Sequence, residues 1–178
     1  MSGSWVSPQS DPRESDFTRG ERATLVEYLR AYRLTLGMKC EGLTPEQLAT
    51  RSVPPSTLSL LGLLRHMADV EHNWFRRVMG RRPDLPRMWG KSQGGDGDFD
   101  GAVGTVQCVE EAFELWRSEI AYAESVVEAA DSLDVTGLHR TGGEIELREV
   151  LVHMIEEYAR HCGHADLVRE CIDGRTGS

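Results

Sequence analysis

Apolar residues fall along the chain in stripes of helical period. Leu25, Tyr28, Leu29, Tyr32 and Leu36 recur at spacings of three and four, which predicts an amphipathic helix from Glu21 to about Cys40 that stops at Gly42. Thr44-Pro45-Glu46-Gln47 has the form of a capping box with proline at the first helical position, so a short helical turn follows. Pro54-Pro55 ends that turn. Ser56 or Thr57 is placed to cap a second long helix that runs to Gly80 and buries Leu60, Leu63, Leu64, Met67, Val70, Trp74 and Val78.

Arg81 to Gly104 shows no period that would bury a face and reads as a long crossing loop. Val106, Val109, Phe113, Trp116, Ile120 and Val127 mark a third helix, from about Thr105 to Ala130. Asp131 to Glu146, with Thr141-Gly142-Gly143, reads as a turn or small hairpin. Leu147, Val150, Leu151, Met154, Ile155, Tyr158, Leu167 and Val168 mark a fourth helix, ending near Cys171 before Gly174. Four amphipathic helices must cover one another's apolar stripes, so the expected fold is all-α, a four-helix bundle. The link between helices 2 and 3 is long enough to run the bundle's length, which allows those two helices to be parallel. Residues 1–20, rich in Ser, Pro, Asp and Gly, read as an extended arm pinned by Trp5 and Phe17, ahead of a domain spanning 21–174.

With 178 residues, 39% hydrophobic and 28% charged, the chain has the volume for one globular core and too much charge for a membrane protein. Lys and Arg total 20 against 29 Asp and Glu, a net charge of −9, which argues against a nucleic-acid partner because phosphate binding needs a basic face. Lys39 and Lys91 are the only lysines, an arginine bias that fits a GC-rich bacterial genome. Cys40, Cys108, Cys162 and Cys171 form no C-x-x-C pair and read as reduced thiols. No apolar run reaches bilayer length and the N-terminus has no signal-peptide core, so the expected location is cytoplasmic.

The chemistry concentrates on the histidines. His66 and His72 lie on the second helix; His153, His161 and His164 lie on the fourth. With His161 as origin, Glu157, His164 and His153 fall about 40°, 60° and 80° around the helix, a narrow polar stripe. Glu157 and His161, one turn apart, can converge on one cation, and His66 is the natural third donor from a neighbouring helix. A His161 and His164 pair with His66 is the rival triad, which spacing does not separate. Two imidazoles and a carboxylate suit zinc, and also nickel, iron or manganese. An open position on such an ion lowers the pKa of a bound water or stabilises a thiolate.

Asp69 and Asn73 share the face of His66 and are placed to hydrogen-bond its second ring nitrogen. His72, about 240° from His66, is expected at the surface or an interface. Cys162 points away from His161, and His139 has no role. Gly-Gly-Asp-Gly-Asp-Phe-Asp-Gly at 94–101 lacks the bidentate glutamate of a calcium loop and reads as a flexible acidic loop. Trp74, Trp89 and Trp116 are candidates for a pocket wall or for core and interface packing.

Two segments, KCEGLTPEQLATRSVPPSTLSLLGLLRHMADVEHNWFRR and LREVLVHMIEEYARHCGHADLVRE, resemble the DinB/YfiT-like superfamily, in the branch that includes mycothiol-dependent transferases and isomerases. The likeness covers about Glu21 to Gly174. It implies a four-helix bundle with a long crossover between helices 2 and 3, homodimers, and a metal held by one histidine of helix 2 and two residues a turn apart on helix 4, in a pattern H-x-x-x-H-x-G-Q in which Glu replaces the first His in some thiol-dependent members. Residues 157–164 match with Glu157 first and His164 in place of the usual Gln. The ligands the resemblance implies are His66, Glu157 and His161. It further implies a metal-activated low-molecular-weight thiol, mycothiol first, transferred to a small-molecule substrate. The competing reading is a non-catalytic, dimeric, stress-linked scaffold whose histidine stripe is structural.

Overall fold

The computed structural model describes residues 11–14, 19–89 and 96–176. Trp5 and Phe17, the expected pins of the arm, lie outside the described residues. The described chain is mostly helical: α1 (Glu21–Cys40), α2 (Pro45–Leu48), α3 (Leu60–Glu71), α4 (Gly97–Asp100), α5 (Val106–Ala129) and α6 (Leu147–Asp173), with a two-stranded antiparallel hairpin of β1 (Thr136–Leu138) and β2 (Glu144–Glu146). No described helix is long and apolar enough to cross a membrane.

The caps explain most of the boundaries. Thr44 and Gln47 close the capping box of α2, each side chain bonding the other's backbone N–H. Thr105 caps α5 through the N–H of Cys108. Gly174, at φ +75°, ends α6 in the left-handed conformation that glycine adopts without penalty. The cap of α3 is Ser59, not Ser56 or Thr57: Ser59 Oγ accepts from the N–H of Gly62, while Ser56 is spent in its own turn, accepting from the N–H of Leu58.

The helix directions follow from who meets whom. At the start of α1, Glu21 meets Arg148, and at its end Lys39 meets Asp166, so α1 and α6 run parallel. Arg65 reaches Cys108 and Arg76 reaches Glu119, so α3 and its continuation run parallel to α5. His66 meets His161 and Trp74 meets His153, so α3 and α6 are antiparallel. The long crossover therefore joins two helices of like direction.

After Glu71 the second helix widens into a π-helical segment, His72–Met79. The sequence period of four from Val70 places Trp74 in the core, but π-helical spacing advances the inward position to i+5, and Phe75 takes it with no exposed surface. Trp74 is displaced to the wall of a cavity. The hairpin seats on the end of this segment at Gly137, where a Cβ would stand 2.7 Å from the carbonyl oxygen of Val78; only glycine allows that approach.

The core contains charge as well as hydrocarbon. Arg33 of α1 forms a two-pronged bond with Glu71 of α3, at 2.8 Å for each prong. Glu71 also accepts from the Tyr158 hydroxyl of α6 (2.8 Å), which accepts from the Trp116 indole N–H of α5 (2.8 Å). One buried chain of four side chains thus ties the four long helices together. Such a network is stable only when each member is satisfied, and here each is. Tyr28, Val106 and Leu167, expected inside, are exposed. Arg33 holds a place on the inner stripe of α1, with Leu29, Leu36 and Cys40.

Candidate metal centre

Two helices and the crossover build the site. On α6, Glu157 and His161 stand one turn apart with His161 Nε2 3.3 Å from Glu157 Oε2. From α3, the His66 ring approaches the edge of His161 at 4.7 Å between centroids. One ligand atom each from His66, Glu157 and His161 lie within 4.8 Å of one another. The structure thus brings together the three side chains singled out in the sequence, a donor set of two imidazoles and one carboxylate that suits a divalent transition metal.

The crossover clamps His66. Asp98 Oδ2 sits 2.8 Å from His66 Nδ1 and Phe99 stacks on the ring at 5.2 Å. A carboxylate only accepts, so Nδ1 is the donor and Nε2 is the nitrogen that faces a ligand. Asp98 is itself placed by α4, which Arg65 holds by donating to the carbonyls of Asp98 (2.8 Å) and Gly97 (3.0 Å). Gly62 permits this close packing: a Cβ there would meet the Phe99 ring at 2.8 Å. Arg65 also lies over the Trp89 ring, whose N–H donates back to the Arg65 carbonyl.

The electrostatics favour an ionised carboxylate at the centre. The hydrogen bond from His161 lowers the Glu157 carboxyl, against the opposing effect of burial, with the charges of Arg160 and His153 adding to the lowering. Burial pushes Asp98 up, but His66 outweighs it and leaves the carboxyl below its ordinary value. Burial lowers His164, helped by the neighbouring His161, so its neutral form is favoured. Its Nδ1 is 3.3 Å from His161 Nδ1, on the side of that ring away from Glu157.

A family model for mycothiol-S-transferases matches residues 24–174. The chain belongs to the mycothiol-S-transferase family. That family lies within the DinB/YfiT-like superfamily. Among curated proteins and solved structures none matches the chain.

In this mycothiol-S-transferase family member several neighbours of the centre differ from expectation. Asp69 does not bond His66; it accepts from the Met88 N–H (3.0 Å) and pairs with Arg87. Asn73 accepts from Arg77 instead. Both lie on the face of His66, but α4 delivers Asp98 closer to the ring. His72 is not a surface residue: its ring is largely covered, with Nε2 3.1 Å from the Pro86 carbonyl and Nδ1 3.6 Å from Glu119. The segment 96–101, expected as a flexible loop, contains α4 and supplies the clamp. Cys162 is a packed thiol that burial pushes up to about 12, not a nucleophile. Trp116 is core, while Trp74 and Trp89 line cavities. His139 stacks on Trp74. Asp98 was invisible in the sequence as a partner of His66, because 32 positions and a non-periodic segment separate them.

Proposed function

We propose that this protein is a metal-dependent thiol S-transferase, in which His66, Glu157 and His161 hold one divalent cation, zinc first and nickel, iron or manganese by the same donor chemistry. The observation that carries the reading is the convergence of three donors from two helices, with the second nitrogen of His66 already engaged by Asp98. Three protein ligands leave a position open, and a cation there stabilises a thiolate at neutral pH. The chain's own residues orient that centre. Asp98 and Phe99 fix the His66 ring, Glu157 supplies the negative charge, and His164 sits against His161 as a neighbour and not a ligand. The four long helices and their long crossover then constitute the four-helix bundle of the superfamily. Mycothiol is the thiol the family membership favours. A cytoplasmic location and a homodimer complete the reading, the latter checked by sedimentation.

The test joins metal content to chemistry. Tag-free protein is expected to carry close to one transition metal per chain, lost in His161→Ala with the helical spectrum retained. With mycothiol and 1-chloro-2,4-dinitrobenzene, the thiol gives its proton to solvent, the C–S bond forms, the C–Cl bond breaks and chloride leaves; the loaded wild type should accelerate this and His161→Ala should not. Wild type that takes up no metal from supplemented medium overturns the proposal.

A further inference from the structure

Two cavities flank the three converging side chains. One, of about 410 Å³, is lined by His66, Asp98, Asp69, Arg87 and Trp89. The other, of about 630 Å³, is lined by Trp74, His139, His153 and Glu156, and His153 lies 3.5 Å from Glu157. Arg140, in the turn of the hairpin, lines both. Gly137 holds the hairpin against the π-helical segment, and the His139 ring stacks on Trp74 at 5.9 Å, so the turn is set over the junction of the cavities by contacts on either side.

The guanidinium of Arg140 makes no hydrogen bond or ion pair among the described residues, whereas the other charges of the smaller cavity are mostly committed. Arg87 is paired with Asp69, and Asp98 is held by His66. An uncommitted arginine fork at the junction matches a carboxylate in two-pronged geometry. The acids left at the rims, Asp96, Glu149 and Glu156, oppose a polyanion and leave room for one negative charge. Mycothiol, a cysteine amide of a sugar conjugate, has no carboxylate, so this contact falls to the second substrate.

We infer that Arg140 selects the electrophile: a small monocarboxylate whose acid group docks on Arg140 and whose body enters the cavity that Trp74, Ile145 and Val152 line. The inference rests on the transferase reading for the identity of the occupant, but not for the anion contact itself.

Calorimetric titration with trans-cinnamate and its neutral isostere cinnamamide tests it, on zinc-loaded and on chelator-treated protein. Wild type should bind cinnamate about tenfold more tightly than the amide in both metal states. Arg140→Gln should bring cinnamate down to the amide's level, and Arg140→Lys should keep part of the preference. The exposed turn position leaves the fold, checked by circular dichroism, unchanged in each variant. Equal binding of the two probes by wild type, no binding of either at millimolar concentration, or a preference that survives in Arg140→Gln overturns the inference. A preference that depends on Arg140 in a protein that takes up no metal would sink the transferase reading and leave the anion site standing.

Discussion

Asp98 contributes by restraint. Its carboxylate takes the Nδ1 hydrogen of His66 and so chooses the tautomer that leaves Nε2 available. Asp98→Ala is therefore expected to weaken metal binding by roughly 10- to 100-fold, the usual effect of removing such a partner, while the fold persists; competition against a chelator measures it. The cysteines separate by environment. Burial pushes Cys40 and Cys162 up to about 12, so both are thiols and not thiolates at neutral pH, whereas Cys171 is exposed. Iodoacetamide followed by peptide mapping should label Cys171 in the native protein and reach Cys40 and Cys162 only after unfolding.

Between elements, the buried chain Arg33–Glu71–Tyr158–Trp116 ties the helices where their stripes meet. Tyr158→Phe removes one donor and leaves the Trp116 indole N–H without its partner, a loss of about 1 to 3 kcal/mol. Glu71→Ala leaves Arg33 buried without its carboxylate and should cost about 3 to 5 kcal/mol. Urea denaturation of both variants checks the order, with Glu71→Ala the less stable. Arg33 also shows where the apolar pattern on α1 misses the core: a paired arginine fills an inner position that hydrophobic periodicity does not mark, while Tyr28 is exposed. The π-helical turn after Glu71 misdirects the pattern in the same way, exchanging Trp74 for Phe75.

Across the molecule, charge pairs set the response to acid. Burial raises the Glu119 carboxyl, yet His72 and Arg76 outweigh it and hold it below its ordinary value of 4.5; the Arg169 guanidinium holds Asp173 below 3.8. Both groups bind protons more weakly folded than unfolded. Their stabilisation is complete above those ordinary values and is lost as pH falls through the lower folded ones. The melting temperature should decline gently as pH falls through about 6.5, where unfolded His164 takes up a proton more readily than the folded residue, and more steeply below about 5 as the paired carboxylates are protonated. In Glu119→Gln that acid-dependent fall should be shallower, which thermal melts across the range would show.

Local pattern alone determined the long helices, the capping box at Thr44, a turn or small hairpin after α5, and the one-turn spacing of Glu157 and His161, because one helical turn is a fixed distance wherever the helix goes. The approach of His66 was readable only as the expectation that its helix packs on α6. Tertiary structure decided what the sequence separates: Asp98 against His66, Arg140 at the meeting of two cavities, Ser59 and not Ser56 as the cap. Those contacts depend on how a non-periodic crossover and a hairpin fold back over the helices, and that path is set by packing at Gly62 and Gly137 and by the reach of Arg65, none of which leaves a repeating signal along the chain.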